Sequence, residues 1–135
     1  MEIKKIASTV DIAVSGLKAE GLRMNVISAN IANANTSRTE EGGPYRRKDV
    51  VFSALMDQLE GVKVDQVADD LATDFKQVYQ PGHPDANDDG FVMMPNVDLP
   101  VEMMQLVTAS RAYQANAAVL KRYQENVDLT LELLR

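Results

Sequence analysis

Asp85-Ala86-Asn87-Asp88-Asp89-Gly90 is the stretch whose residue types come nearest to a chemical site. Oxygen-bearing side chains at the first, third and fifth positions, with glycine at the sixth, match the opening of an EF-hand calcium loop. The twelfth position, which needs a bidentate Glu, is Asn96, and Pro81, Pro84 and Pro95 leave no room for flanking helices. An Asp/Asn/Gly turn is therefore expected instead of a calcium site. His83, the only histidine, has no second nitrogen ligand and no nucleophile beside it, so a turn role is expected there too. Arg46-Arg47-Lys48 could meet a phosphate, but beside an acidic segment such a trio is expected to pair with carboxylates or line a solvated strand edge. The glycines form no phosphate-cradling loop, and there is no cysteine. The residues point to no catalytic group, cofactor or metal, and so to a protein that is not an enzyme.

Charge narrows the partners. The chain carries 14 basic and 20 acidic residues, a net charge of −6. Residues 49 to 98 hold eleven Asp or Glu against two Lys, whereas residues 99 to 135 balance four against four. An acidic middle repels nucleic acid and anionic lipid, which both need a basic footprint. No apolar run reaches the 18 residues needed to span a membrane, so no membrane insertion is expected. The apolar run after Lys4-Lys5 stops at Asp11, too short for a cleavable signal. The absence of cysteine leaves the redox compartment open.

The rest of the pattern belongs to two long helices. From Leu99 to Arg135, steps of four and three pick out Leu99, Met103, Leu106, Ser110, Tyr113, Ala117, Leu120, Gln124, Val127, Leu131 and Leu134, a seam broken only by Ser110 and Gln124. Ala112, Val119 and Leu133 widen it, which predicts more than one neighbour. Asp98 is the predicted N-cap and Pro100 sits in the first turn, where a missing N–H costs little. Residues 3 to 35 repeat the alternation through Ile3, Ile6, Val10, Ala13, Leu17, Glu20, Met24, Ile27, Ile31 and Ala34, with Glu20 the lone exception. Gly16 and Gly21 inside this helix predict close backbone approach, a bend or simple tolerance. Asn30 and Asn33 flank its seam, where an uncharged amide can bond across to a neighbouring helix or lie in a solvated, fraying end.

All five prolines lie between the helices or at the start of the second, which predicts three segments: an N-terminal helix over 1–35, a middle insert over 36–97 and a C-terminal helix over 98–135. Tyr45–Phe52, Val62–Val67, Phe75–Tyr79 and Phe91–Met94 read as strands, and Ser53–Leu59 as a helical turn. The expected fold is mainly α: two antiparallel terminal helices with the small β-rich insert at one end, leaning on them for lack of its own core. Two helices alone leave apolar stripes wet, so packing between subunits is expected, and a non-closing rotation would give an open helical assembly.

Ala29-Asn30-Ile31-Ala32-Asn33-Ala34-Asn35-Thr36, preceded by Ser15-Gly16-Leu17 and Met24-Asn25-Val26, resembles the N-terminal signature of the bacterial flagellar rod and hook axial proteins. Tyr79-Gln80-Pro81-Gly82-His83-Pro84-Asp85-Ala86, Gly90-Phe91-Val92 and Pro95-Asn96-Val97-Asp98 are similar to the middle segment of the proximal-rod members, and Ser110-Arg111-Ala112-Tyr113-Gln114-Ala115-Asn116 to their C-terminal motif. The resemblance spans the length and implies a structural subunit of the periplasmic drive shaft in the flagellar basal body, transmitting torque and lining the export channel. It implies export by the flagellar type III apparatus, a coiled-coil core domain of the terminal helices, and as partners further copies and other rod proteins of the FlgB, FlgF and FliE type. With the seam, it places subunit contacts on Leu17, Met24, Ile27, Asn30, Ile31 and Asn33 of the first helix and on Leu106, Tyr113, Asn116, Ala117, Leu120, Val127 and Leu131 of the second. A competing reading is a soluble coiled-coil adaptor whose acidic insert binds a basic partner.

Overall fold

The computed structural model describes residues 2–54 and 61–134. The element order is α1 (Glu2–Ala32), β1 (Lys48–Ala54), β2 (Val62–Asp69), β3 (Lys76–Tyr79), β4 (Phe91–Met94) and α2 (Leu99–Leu133). The helical turn expected over Ser53–Leu59 lies outside the described residues, apart from Ser53 and Ala54, which close β1. Asp98 caps α2 as its sequence predicts, accepting the Val101 N–H at 3.3 Å, with Pro100 in the first turn. No helix among the described residues is long and apolar enough to cross a membrane.

The helices pack antiparallel. Asn30 reaches Glu102, Gly21 faces Tyr113 and Gly16 faces Asn116, so positions fall along α2 as they rise along α1. Gly16 marks a close approach: a Cβ there would come within 2.6 Å of Asn116 Nδ2. On α1 the expected seam is the packed face, from half-buried Val10 through buried Ala13 and Ile27 to half-buried Ala34. On α2 the face keeps half-buried Leu106, Ser110, Ala117 and Leu120 of the expected seam but has a different centre. It is centred on the heptad line Glu102, Ala109, Asn116 and Tyr123, with Glu102 and Ala109 buried, while Met103, Met104 and Val107 look outward at 58, 65 and 51 % exposure. Small Ala109 lets the helices close, Asn116 fills the notch at Gly16, and Glu102 is drawn inward by polar partners. A criterion of apolar spacing finds Leu106, Ala117 and Leu120 but cannot find Glu102 and Asn116.

The insert forms two antiparallel hairpins. β1 pairs with β2 from Lys48↔Asp69 to Ala54↔Val62, with an irregularity between Val51 and Phe52, and β3 pairs with β4 from Lys76↔Met94 to Tyr79↔Phe91. The first hairpin is not confined to one end of the helix pair, as was expected. It lies along α1 from Asn30, which holds the Lys48 backbone, back to Ser15, whose hydroxyl accepts the Val62 N–H at 3.1 Å. A two-stranded ribbon is marginal alone; here it buries Val50 and half-buries Phe52 and Val64. Val92, Pro95, Asn96 and Val97 are buried where the second hairpin leads into α2.

Candidate functional site

Among the described residues, the most enclosed polar groups meet where α1, β1 and the first turns of α2 converge. Asn30 is 0 % and Glu102 1 % exposed. Asn30 uses its whole bonding capacity: Nδ2 donates to the Lys48 carbonyl at 2.8 Å and to Glu102 Oε2 at 3.1 Å, while Oδ1 accepts from the Lys48 N–H at 3.0 Å and the Tyr45 hydroxyl at 3.0 Å. Arg47 donates from Nε to Glu102 Oε1 at 2.6 Å, and its other nitrogens lie 3.3 Å from Asp49, 3.6 Å from Asp70 and 3.4 Å from the Gln105 amide oxygen. Behind it, Asn96 accepts the Arg47 N–H at 2.8 Å and donates to the Asp70 and Thr73 carbonyls.

Secondary structure delivers these groups from distant positions. Glu102 is carried inward by the first turn of α2, which the Asp98 cap fixes. Arg47 stands one residue before β1, whose first backbone unit is clasped by Asn30. The electrostatics follow from the enclosure. Burial alone pulls the Arg47 guanidinium down, but the hydrogen bond and charge of Glu102, with Asp49, outweigh it and hold the group above its ordinary value. Burial, with the negative charges of Asp69 and Glu102, pushes the Tyr45 phenol up and keeps it a neutral donor. Asp70 is held below the ordinary carboxylate value, chiefly by the Thr73 hydroxyl and then by the Thr73 and Ala72 N–H groups and Arg47, against the opposing effect of burial.

Such an arrangement joins segments. Its donors and acceptors are spent on one another. The other candidates are turns, as expected. Asn87 Oδ1 accepts from the Asp89 and Phe91 N–H groups, His83 Nδ1 accepts the Asp85 N–H at 3.1 Å, and Asp85 pairs with Ser37 and Arg38. No group of three potential metal ligands occurs among the described residues. Arg46 lies 4.2 Å from the Phe75 ring centroid and donates to the Asp70 carbonyl.

The residues expected at a subunit interface divide by exposure. Ile27 and Asn30 are buried within the chain, and Asn30 bonds across to α2 with nothing left to offer another subunit. Asn33 bonds back along its own helix to Ala29 and accepts from Thr36, so it finishes α1 instead of bonding across. Leu17, Met24, Ile31, Leu106, Asn116, Ala117 and Leu120 are half-buried along the helix pair. Tyr113, Val127 and Leu131 remain open, at 41, 38 and 59 %. Sequence spacing passed over Glu102, Asn96 and Tyr45, whereas Arg47 pairs with carboxylates, as expected for the Arg46-Arg47-Lys48 trio. One signal was present: Glu102 is the only carboxylate in the first 26 positions of the C-terminal helix.

Residues 11–38, which include Asn30, match the family described as flagella basal body rod protein, and residues 88–133, which include Asn96 and Glu102, match the C-terminal family of the flagellar basal body rod FlgEFG proteins. Over 126 residues the chain is 44 % identical to the flagellar basal-body rod protein FlgC of Yersinia enterocolitica, covering 91 % of this chain and 93 % of the relative. The chain belongs to the FlgC family of flagellar basal-body rod proteins. FlgC of Borreliella burgdorferi is 37 % identical over 148 residues, covering 95 and 97 %, and that of Bacillus subtilis 35 % over 144 residues, covering 93 and 95 %. As a FlgC-family chain it is a structural subunit of the flagellar basal-body rod, not an enzyme. In this FlgC-family fold the joint lies between the two matched segments, with Arg47 supplied by the stretch that separates them.

Proposed function

We propose that the chain is a proximal-rod subunit of the periplasmic drive shaft, exported by the flagellar type III apparatus and assembled through its terminal helices. Residues 1–35 and 98–135 act as one core unit, completed as a coiled coil by neighbouring subunits, and residues 36–97 face outward. The observation that carries this reading is the unfinished apolar surface of α2: Met103, Met104, Val107, Leu129, Leu131 and Leu133 are 58, 65, 51, 57, 59 and 84 % exposed on a helix with one helix partner among the described residues. Exposed apolar area of this extent is stabilised by burial between subunits, at about 25 cal/mol per Å². Copies of the same chain, rod proteins of the FlgB, FlgF and FliE type and the export apparatus are the partners this reading requires. The full-length likeness to rod proteins supports it and leaves the adaptor reading without an observation of its own.

Torque is then carried by stiffness across helix–helix contacts, for which Leu17, Met24, Ile31, Leu106, Tyr113, Ala117, Leu120, Val127 and Leu131 remain the proposed residues, with Asn33 and Asn116 beside them. A Val127→Asp/Leu131→Asp chain, produced in cells lacking their own copy, is expected to be exported normally yet to leave no rod and no swimming. Normal swimming of that strain would contradict assembly through the distal half of α2.

A further inference from the structure

The Arg47–Glu102 pair is buried, and a buried ion pair is weak evidence for stability, because desolvation offsets much of the attraction between the charges. What the pair has in this chain is directionality. Glu102 offers one carboxylate oxygen to Arg47 Nε and the other to Asn30 Nδ2, so its plane is fixed by two elements 55 and 72 positions away in sequence. Asn30 at the same time grips both backbone groups of Lys48. A slip of β1 by one residue would present different groups to Asn30 and move Arg47 away from Glu102. The apolar contacts of the hairpin give little protection against such a slip: Val50 is its only buried apolar side chain among the described residues, and Val51, Val62 and Val67 are 42, 38 and 42 % exposed.

We propose that Arg47 and Glu102, with Asn30, are positioning residues that select a single seating of the β1–β2 hairpin on the helix pair and contribute geometry more than net stability. The inference rests on the rod-subunit reading for its consequence: an outward-facing insert can be placed reproducibly around a shaft only if each copy holds it at the same angle. The pair is asymmetric. Arg47 keeps Asp49 and Asp70 when Glu102 is removed, whereas Arg47 is the only cation within ion-pair reach of Glu102 among the described residues.

The test compares Arg47→Met, Glu102→Met and the double variant in the full chain, using thermal unfolding, a spin-label distance between Val67→Cys and Gln114→Cys, and swimming of complemented cells. The chain has no cysteine of its own, so both labels are specific. The double variant is expected to melt within a few degrees of the parent, to show a broadened or displaced Val67–Gln114 distance, and to swim poorly. Arg47→Met alone is expected to melt lowest, and Glu102→Gln, whose single amide oxygen can accept from only one of Arg47 and Asn30 while its NH2 faces the other donor, is expected to leave the distance broadened. A double variant with an unchanged narrow distance and full swimming overturns the proposal. So does one that fails to fold, since the pair would then act through stability. Failure of the parent chain itself to restore swimming would instead count against the rod-subunit reading.

Discussion

At the scale of single residues, the chain places its polar specificity in side chains whose value depends on which atom is a donor. Asn30 is the clearest: Nδ2 faces two oxygens, the Lys48 carbonyl and Glu102 Oε2, and Oδ1 faces two donors. Asn30→Asp keeps size and shape but sets a carboxylate oxygen against both acceptors. It is expected to cost about 3 kcal/mol or more, since buried unsatisfied or opposed polar groups each cost about 1–3 kcal/mol. Protonating the new carboxyl restores one donor, so its folded-state pKa is raised; the loss of stability sets in as pH rises through the carboxylate range and recedes as pH falls. Urea unfolding at neutral and mildly acid pH measures both effects, and equal midpoint losses at the two pH values would contradict them. The sequence made half of this legible. An amide beside the seam was readable as a bond across to a neighbouring helix, but the neighbour's Glu102 and the loop's Arg47 were not, because their pairing is set by a tertiary approach over 55 residues.

At the scale of elements, periodicity found both helices, the Asp98 cap and all four strands, with β4 matching to the residue. It caught Leu106, Ser110, Ala117 and Leu120 on the inner face of α2 but missed the centre of that face, because packing there selects fit over hydrophobicity: Ala109 for closeness, Asn116 against Gly16, Glu102 for the joint. It also set the insert at one end, because nothing local to the strands says that they run beside α1. That placement depends on Gly61, which has φ +115 and sits where a Cβ would strike the Ser15 side chain and come within 3.3 Å of the Ile12 Cα. Gly42 shares a positive φ of 85 but has open space around it. Gly61→Ala is therefore expected to destabilise by more than Gly42→Ala, which carries only backbone strain of about 1–3 kcal/mol. Denaturant midpoints of the two variants decide it, and equal losses would mean that the hairpin does not press on α1 at Ser15.

At the scale of the whole molecule, charge and apolar surface are partitioned. Residues 36–97 carry twelve acidic and six basic residues, so the entire net charge of −6 resides in the insert, while the two helical segments balance eight against eight. Neutral helices with bare apolar faces favour association, and mutually repelling inserts favour an outer position in a crowded assembly. Burial also declines along α2, from the closed joint near Glu102 to its far end, where every described residue from Gln124 to Leu134 is exposed. The far end is thus where neighbouring subunits are needed most. The most direct test uses the chain's lack of cysteine: Leu131→Cys and Leu71→Cys, 59 and 79 % exposed in the single chain, are reacted with a maleimide in the purified subunit and in intact basal bodies. Both cysteines are expected to label in the free subunit, and in basal bodies Leu131→Cys is expected to become protected while Leu71→Cys still reacts. Equal labelling of Leu131→Cys before and after assembly would contradict that expectation.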